Sequence, residues 1–251
     1  MGEGAGGYPC LWRMLYQVAD RAQDEEGWLR ARRNLITASE SCHLVGTAHH
    51  RWRKSPEELH DSKMFSNVEV TAKMRAGQFW EDGILEWFSE LTGIAATGAS
   101  ALLANTQFPG LGATPDGTLN FIQDPKAIQR AMKAPTISLL RVVGAEMVFE
   151  GPDALAYLVQ VLDNEGFGGT PLEVKNQESK NRYKWNREDS SKVVHYVTQV
   201  NHQTLVMEQK LGLLAARVDA NELYIHCVPA DKEHQQEIID ETRRYHDRFS
   251  R

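Results

Sequence analysis

Glu173 and Lys175 stand two residues apart in Pro171-Leu172-Glu173-Val174-Lys175-Asn176, a run that reads as a short strand. Side chains alternate along a strand, so the acid and the ammonium share one face while Val174 turns into the core. Upstream, Gly112-Ala113-Thr114-Pro115-Asp116-Gly117 places an aspartate on a turn. Brought beside the strand, Asp116 would complete a set of hard oxygen ligands next to a lysine, which is equipment for cutting phosphodiesters. Each piece also has a plainer explanation. Pro-Asp-Gly is a good turn former by itself, and acid-x-lysine arises by chance in most chains this long.

Three helices are placed to bring partners to these residues. The first spans 77–91, with Trp80, Ile84, Trp87 and Leu91 as its apolar stripe. Glu81 falls at the edge of that stripe, between Phe88 and Leu85, whereas Asp82, Glu86 and Glu90 point away. An inward acid is costly unless it is paired or binds a metal; the alternative is a boundary glutamate that reaches water. The second helix starts at Thr37, where Glu40 three residues on makes a capping box, and runs to about residue 46. Arg32 lies just before it and Ser39 in its first turn. A helix N-terminus is a natural seat for a phosphate, although a plain cap beside a surface arginine explains the same residues. The third spans 192–211, with Val193, Val197, Val200, Thr204, Met207 and Leu211 on one stripe. Tyr196, Gln199 and Gln203 make the neighbouring face, which either reaches a site or forms the polar edge of a buried helix.

The remaining pattern predicts a helix over 10–22 carrying Leu11, Met14, Leu15 and Val18, and another from Ser55-Pro56 to about 74. Strands are expected at 101–104, 118–122 and 145–149, and helices at 127–133 and 153–162. A hairpin joins 215–218 to 223–228, and an amphipathic helix covers 231–249. Adjacent His49 and His50 lie in a loop and do not easily face one metal. With no repeat or low-complexity linker, residues 10–251 read as a single domain, preceded by a Gly-rich flexible tail at 1–9 that lacks the features of a signal peptide.

Composition excludes several classes. No apolar run approaches the ~20 residues of a membrane span, so an intracellular, cytoplasmic protein with no membrane partner is expected. Cys10, Cys42 and Cys227 are widely spaced without a C-x-x-C pair, which argues for a reducing compartment and against a zinc knuckle or a four-cysteine iron–sulphur cluster. The net charge of −6 speaks at first against nucleic acid, but the distribution of charge matters more than its sum. Arg30, Arg32 and Arg33 form one basic cluster, and Arg51, Arg53 and Lys54 a second. In the third, Lys180-Asn181-Arg182-Tyr183-Lys184-Trp185-Asn186-Arg187, cations interleave with rings. Together they are compatible with a phosphate track inside an acidic protein.

Taken in order, Trp28-x3-Arg32-x3-Ile36-Thr37-Ala38-Ser39-Glu40, Gly77-Gln78-Phe79-Trp80-Glu81, Thr114-Pro115-Asp116-Gly117, Leu172-Glu173-Val174-Lys175 and Tyr196-Val197-Thr198-Gln199-Val200-Asn201 resemble the phage lambda exonuclease branch, the YqaJ-type viral recombinases, of the PD-(D/E)XK nucleases. The likeness spans about 28–205. It implies an α/β fold with a restriction-endonuclease-like core, a central mixed β-sheet flanked by α-helices. It also implies Mg²⁺-dependent 5′→3′ digestion of double-stranded DNA, with Mn²⁺ as a possible substitute, releasing mononucleotides and leaving 3′ single-stranded tails.

By that likeness Asp116, Glu173 and the Val174 carbonyl would hold the metal and Glu81 a second metal or its water. Lys175 would position or deprotonate the attacking water, and Gln199 would brace the site. Arg32 and Ser39 would take the 5′-phosphate, with Thr114 beside them where a serine is common. A ring-shaped homotrimer and a single-strand annealing partner are implied as well. A structure-specific endonuclease or nickase on the same core, and a non-catalytic DNA-end-binding module, are the rival readings. The span between Asp116 and Glu173 is much longer than the hairpin usual in the family, so an insertion at about 123–170 is expected, as a lid, an oligomer contact or a partner-binding element.

Overall fold

The computed structural model of the chain describes residues 14–65, 72–119, 124–143, 147–165, 168–185, 193–219 and 221–249. The predicted tail at 1–9 and Asn186-Arg187 of the basic-aromatic stretch lie outside them.

The acid and the lysine sit on a seven-stranded mixed sheet. Its order is β3 (Ala96–Gly98), β6 (Gly117–Leu119), β9 (Pro171–Gln177), β10 (Leu211–Val218), β11 (Glu222–Pro229), β7 (Leu140–Val143) and β8 (Val148–Glu150). β9 runs parallel to β10 and β11 parallel to β7, and the other pairings are antiparallel. β10 shows why the sheet is covered on both sides. Leu211, Leu213 and Ala215 enter one hydrophobic cluster, and Leu214, Ala216 and Val218 enter another, so its sequence is a continuous apolar run rather than an alternating one. On the first face lie α4 (Ala72–Thr92), α5 (Pro125–Lys133) and α6 (Gly151–Glu165), contributing Phe88, Ile128 and Leu158 among others. On the second lie α7 (Val194–Val206) and the fully buried Trp185.

A smaller four-stranded sheet has the order β1 (Leu15–Asp20), β4 (Ala101–Asn105), β5 (Leu111–Ala113) and β2 (Ile36–Thr37). Around it pack α1 (Glu25–Arg33), α2 (Ala38–Leu44), α3 (Pro56–Met64) and α8 (Lys232–Phe249), with Ile36, Leu59, Leu111, Ile238 and Tyr245 in a common cluster. α7 is the joint between the sheets. His202 Nε2 donates to the Gly112 carbonyl of β5 at 2.9 Å, and Asn105 Nδ2 of β4 donates to the Val206 carbonyl at 3.1 Å. The next side chain along, Gln203, reaches β9 instead. Burial pushes the His202 imidazole down to about 4, so it is neutral, with its Nε2 proton committed to that carbonyl.

Several expectations need correction. The helix predicted at 10–22 is, over its described part, β1, an edge strand paired with β4. Its Leu15 and Val18 are spaced as on a helix, but backbone pairing with a distant segment decides the conformation. The helix from Ser55 stops at Met64, and Ala72 already opens α4. On α4 the buried stripe is Ile84, Leu85, Phe88 and Leu91, while Trp80 is 38% exposed. α7 is shorter than predicted because Leu211 begins β10. The strand at 118–122 is β6 up to Leu119, and 120–123 fall outside the described residues. The segment expected as an insertion supplies α5, β7, β8 and α6, and its Ile128, Leu140, Val142 and Leu155 are part of the main hydrophobic cluster. Its packing is that of sheet edge and core.

α7 crosses β10 at Gly212, where an added Cβ would lie 2.4 Å from Val200 Cγ1 and 3.0 Å from Thr204 Cγ2. Gly212→Ala is therefore expected to lower stability by about 1–3 kcal/mol, the usual cost of overpacking. A urea unfolding midpoint equal to the parent's would contradict this packing.

Candidate functional site

The site begins where two strands part. β6 pairs with β9 through Gly117–Leu172 and Thr118–Pro171. Beyond that point the Val174 N–H leaves β9 on the same edge with no strand opposite, and Asp116 Oδ2 accepts it at 2.8 Å. The C=O of a strand residue leaves on the same side as its N–H, so the Val174 carbonyl also faces the Asp116 edge. Glu173 and Lys175 point to the α7 side of the sheet and Val174 to the α4 side, as alternation requires.

Gly117 sets the third carboxylate. A Cβ there would fall 2.7 Å from Leu85 Cδ2 and 3.1 Å from the Thr97 carbonyl oxygen, so glycine leaves room for α4 and β3 beside β6. Glu81 lies one turn before Leu85 and so overhangs the same edge. It lines the cleft that Val174 and Lys175 also line.

Lys175 Nζ is hydrogen-bonded to Glu173 Oε1, stands 3.8 Å from Asp116 Oδ2, and lies 5.4 Å from the centre of the Tyr196 ring. Burial alone would lower this ammonium, but Glu173 and Asp116 more than offset that and push it up. Asp116 is held well above the ordinary carboxylate range, first by burial and then by the charge of Glu173, with Lys175 opposing and Glu81 adding. Glu81 is raised too, by burial first, with Lys175 opposing and Glu173 adding. Three acids thus crowd one ammonium, and the ammonium alone does not neutralise them.

Among the described residues no three His, Cys, Asp or Glu side chains converge on one point, since Lys175 stands between two of the acids. The donors facing the edge are nevertheless all oxygen: Asp116, Glu173, the Val174 carbonyl and, close by, Glu81. That set and its uncompensated negative charge fit a hard divalent cation.

Gln203, and not Gln199, braces the acid. Gln203 Nε2 donates to Glu173 Oε2 at 2.6 Å from a fully buried position. Gln199, one turn earlier, is buried as well, but its Oε1 meets no donor. The two share a helix face, and only the placement of α7 against β9 tells them apart.

The arginine and the helix start meet on the smaller sheet. The capping box is formed, with the Thr37 N–H donating to Glu40 Oε2 at 2.9 Å, and Ser39 is exposed in the first turn of α2. Arg32 lies over the buried Trp28 ring at 4.5 Å and donates to Thr37 Oγ1 at 3.2 Å. Burial lowers its guanidinium, with Glu40 opposing and Arg21 adding to the shift. A cation in that state is stabilised by an incoming anion. β2 runs parallel to β5 with Thr37 opposite Gly112, two residues before Thr114. The Thr114 Oγ1 is buried without a partner. Thr114 and Asp116 are two residues apart, so one short segment spans both halves of the site.

Two contributors gave no sequence signal. Arg21, predicted on a helix, stands 5.3 Å from the Trp28 ring and faces Arg32 across it. Lys63 is buried beneath the pair, donating to the carbonyls of Arg32 and Leu35 at 2.9 and 2.8 Å and to Glu40 Oε2 at 2.7 Å. Of the basic clusters, Arg51, Lys184 and Asn181 line the cleft with Lys175, whereas Arg30 pairs with Glu26 and Arg182 with Glu222.

With this geometry in place, likeness to known proteins is informative. The sequence model of the YqaJ-like viral recombinase domain matches residues 27–210, well over half of the chain. The chain belongs to the YqaJ-like viral recombinase family. Its match takes in both halves of the site, from Trp28 to Gln203. Among solved structures it is similar to an alkaline exonuclease, LHK-Exo, from Laribacter hongkongensis, at 16% identity and a TM-score of 0.52 over 90% of this chain and 92% of that one. The same enzyme in complex with dAMP matches at 15% identity, with the same TM-score and coverage. At such identity the likeness is one of fold, and the fold is restriction-endonuclease-like as expected. No match emerges among curated proteins.

The crowded acids carry a pH signature. Folded Asp116 keeps its proton above the ordinary value of about 4, so as pH rises past that value the folded chain binds more protons than the unfolded chain and stability falls. With a chelator present, Asp116→Asn is expected to lose less thermal stability than the parent between pH 5 and 8. Parallel melting curves would contradict the crowding.

Proposed function

We propose that this chain is a Mg²⁺-dependent 5′→3′ exonuclease of double-stranded DNA, releasing mononucleotides and leaving 3′ single-stranded tails for recombination or end processing. The observation that carries the reading is the edge at which Asp116, Glu173 and the Val174 carbonyl gather beside Lys175. Membership of the family and a fold like that of an alkaline exonuclease support it. Each acid, the lysine and the arginine of the 28–205 pattern are present.

Asp116, Glu173 and the Val174 carbonyl would hold the ion, with Glu81 placed for a second ion or a water. When bound, a divalent cation lowers the pKa of water and polarises the phosphoryl oxygen. Lys175 stays protonated beside its acids and is therefore better suited to stabilising negative charge on the phosphate than to removing a proton. Gln203 keeps Glu173 oriented through its second oxygen. Arg32, Ser39 and Thr114 would receive the 5′-phosphate at the start of α2, where the free N–H groups add their dipoles. That contact selects the end from which digestion proceeds. A ring-shaped homotrimer and a single-strand annealing partner belong to this reading and rest on the family likeness. A DNA substrate implies work inside the cell, and among the described residues no helix is long and apolar enough to cross a membrane.

End-labelled duplexes test the proposal. Asp116→Ala, Glu173→Ala and Lys175→Ala are each expected to cut digestion by at least about 100-fold. Arg32→Ala is expected to slow the 5′-phosphorylated duplex by about 10-fold or more, from loss of a charged hydrogen bond, and to narrow the gap between phosphorylated and unphosphorylated ends. Closed circular DNA should stay intact. Cutting of the circle, or parental rates in Lys175→Ala, would overturn the reading.

A further inference from the structure

From Lys175 the cleft, about 890 Å³ in volume, continues into a row of rings. Tyr196, beside the ammonium, is backed by the fully buried Trp185, parallel to it at 5.9 Å. The His195 ring is 3.8 Å from Tyr196. Trp52 meets His195 edge-on at 5.2 Å, and His49 lies nearly parallel to Trp52 at 6.1 Å. Arg51 and Lys184 line the same space.

Trp52 itself is 49% exposed and has no place in the three hydrophobic clusters, so core packing does not account for it. Its ring neighbours are three histidines, His43, His49 and His195. A wide ring held by neighbouring histidines and left half open, in a groove lined by cations, is the arrangement that binds single-stranded nucleic acid. Bases stack on the ring and cations follow the backbone. A base beyond the terminal pair of a duplex is already stacked on both sides, so it must leave its partner to reach the ring.

We propose that Trp52, positioned by His49 and His195, stacks an unpaired nucleobase of the strand whose phosphate reaches Asp116, Glu173 and Lys175. The inference rests on the nuclease reading of that site. Trp52 would hold that base, and Arg51 and Lys184, which line the same space, its backbone.

The test uses the full chain with Ca²⁺ in place of Mg²⁺, so that DNA is held uncut. The 5′-phosphorylated duplexes carry 2-aminopurine as the second nucleotide of the 5′-ended strand or, in a second set, opposite it. A dye at the far end reports binding by anisotropy. The parent should quench 2-aminopurine in the 5′-ended strand. Trp52→Ala should lose the quenching and bind ends with two unpaired nucleotides roughly 5- to 150-fold more weakly, the worth of one stacked base. Trp52→Phe should recover part of both. Equal quenching by Trp52→Ala, or quenching confined to the opposite strand, would overturn the inference. Binding and digestion without quenching would overturn it and leave the nuclease reading standing. Failure of the parent to bind or digest any DNA would overturn both.

Discussion

The site depends on a sheet edge that is left open. β6 and β9 share two residue pairs and then separate, so Val174 has an N–H and a carbonyl on an edge without a partner strand. Buried backbone groups must be satisfied, and here a carboxylate does it. Asp116 takes the N–H that a strand would have taken, which fixes the acid against β9 and leaves the carbonyl facing the same space. The alternation of β9 then presents Glu173 and Lys175 beside it. One short pairing thus determines where three potential ligands and the lysine sit.

The cost is electrostatic. Asp116, Glu173 and Glu81 share a partly dry edge with one ammonium, and burial together with mutual repulsion raises Asp116 and Glu81. Around that strain the structure is rigid. Gln203 clamps Glu173, Gly117 lets α4 come close, and Gly212 lets α7 cross the sheet. Because α7 also holds Gly112 through His202, the smaller sheet and the acids of the larger one are tied to the same helix.

Local chemistry was legible in the sequence. The Thr37–Glu40 capping box, the inward Glu81 and the shared face of Glu173 and Lys175 each follow from spacing within one element. Where the outcome depended on distant partners, spacing misled or stayed silent. The 10–22 segment has helical spacing, yet β4 draws it into a strand. Gln199 and Gln203 lie on one face of α7, and the docking of that helix on β9 selects Gln203. Lys63 looked like any surface lysine until three elements closed over it. The long span before Glu173 carries none of the motifs, yet its α5, β7, β8 and α6 build the sheet edge and part of the main core.

The central claim is that the Asp116–Glu173 edge is a binding place for a hard cation. Calorimetric titration of the metal-free protein with Mn²⁺ tests it most directly. The account predicts saturable binding in the parent that is lost, or weakened by at least about 10-fold, in Asp116→Asn, since one charged ligand is removed. Indistinguishable isotherms for the two proteins would contradict it.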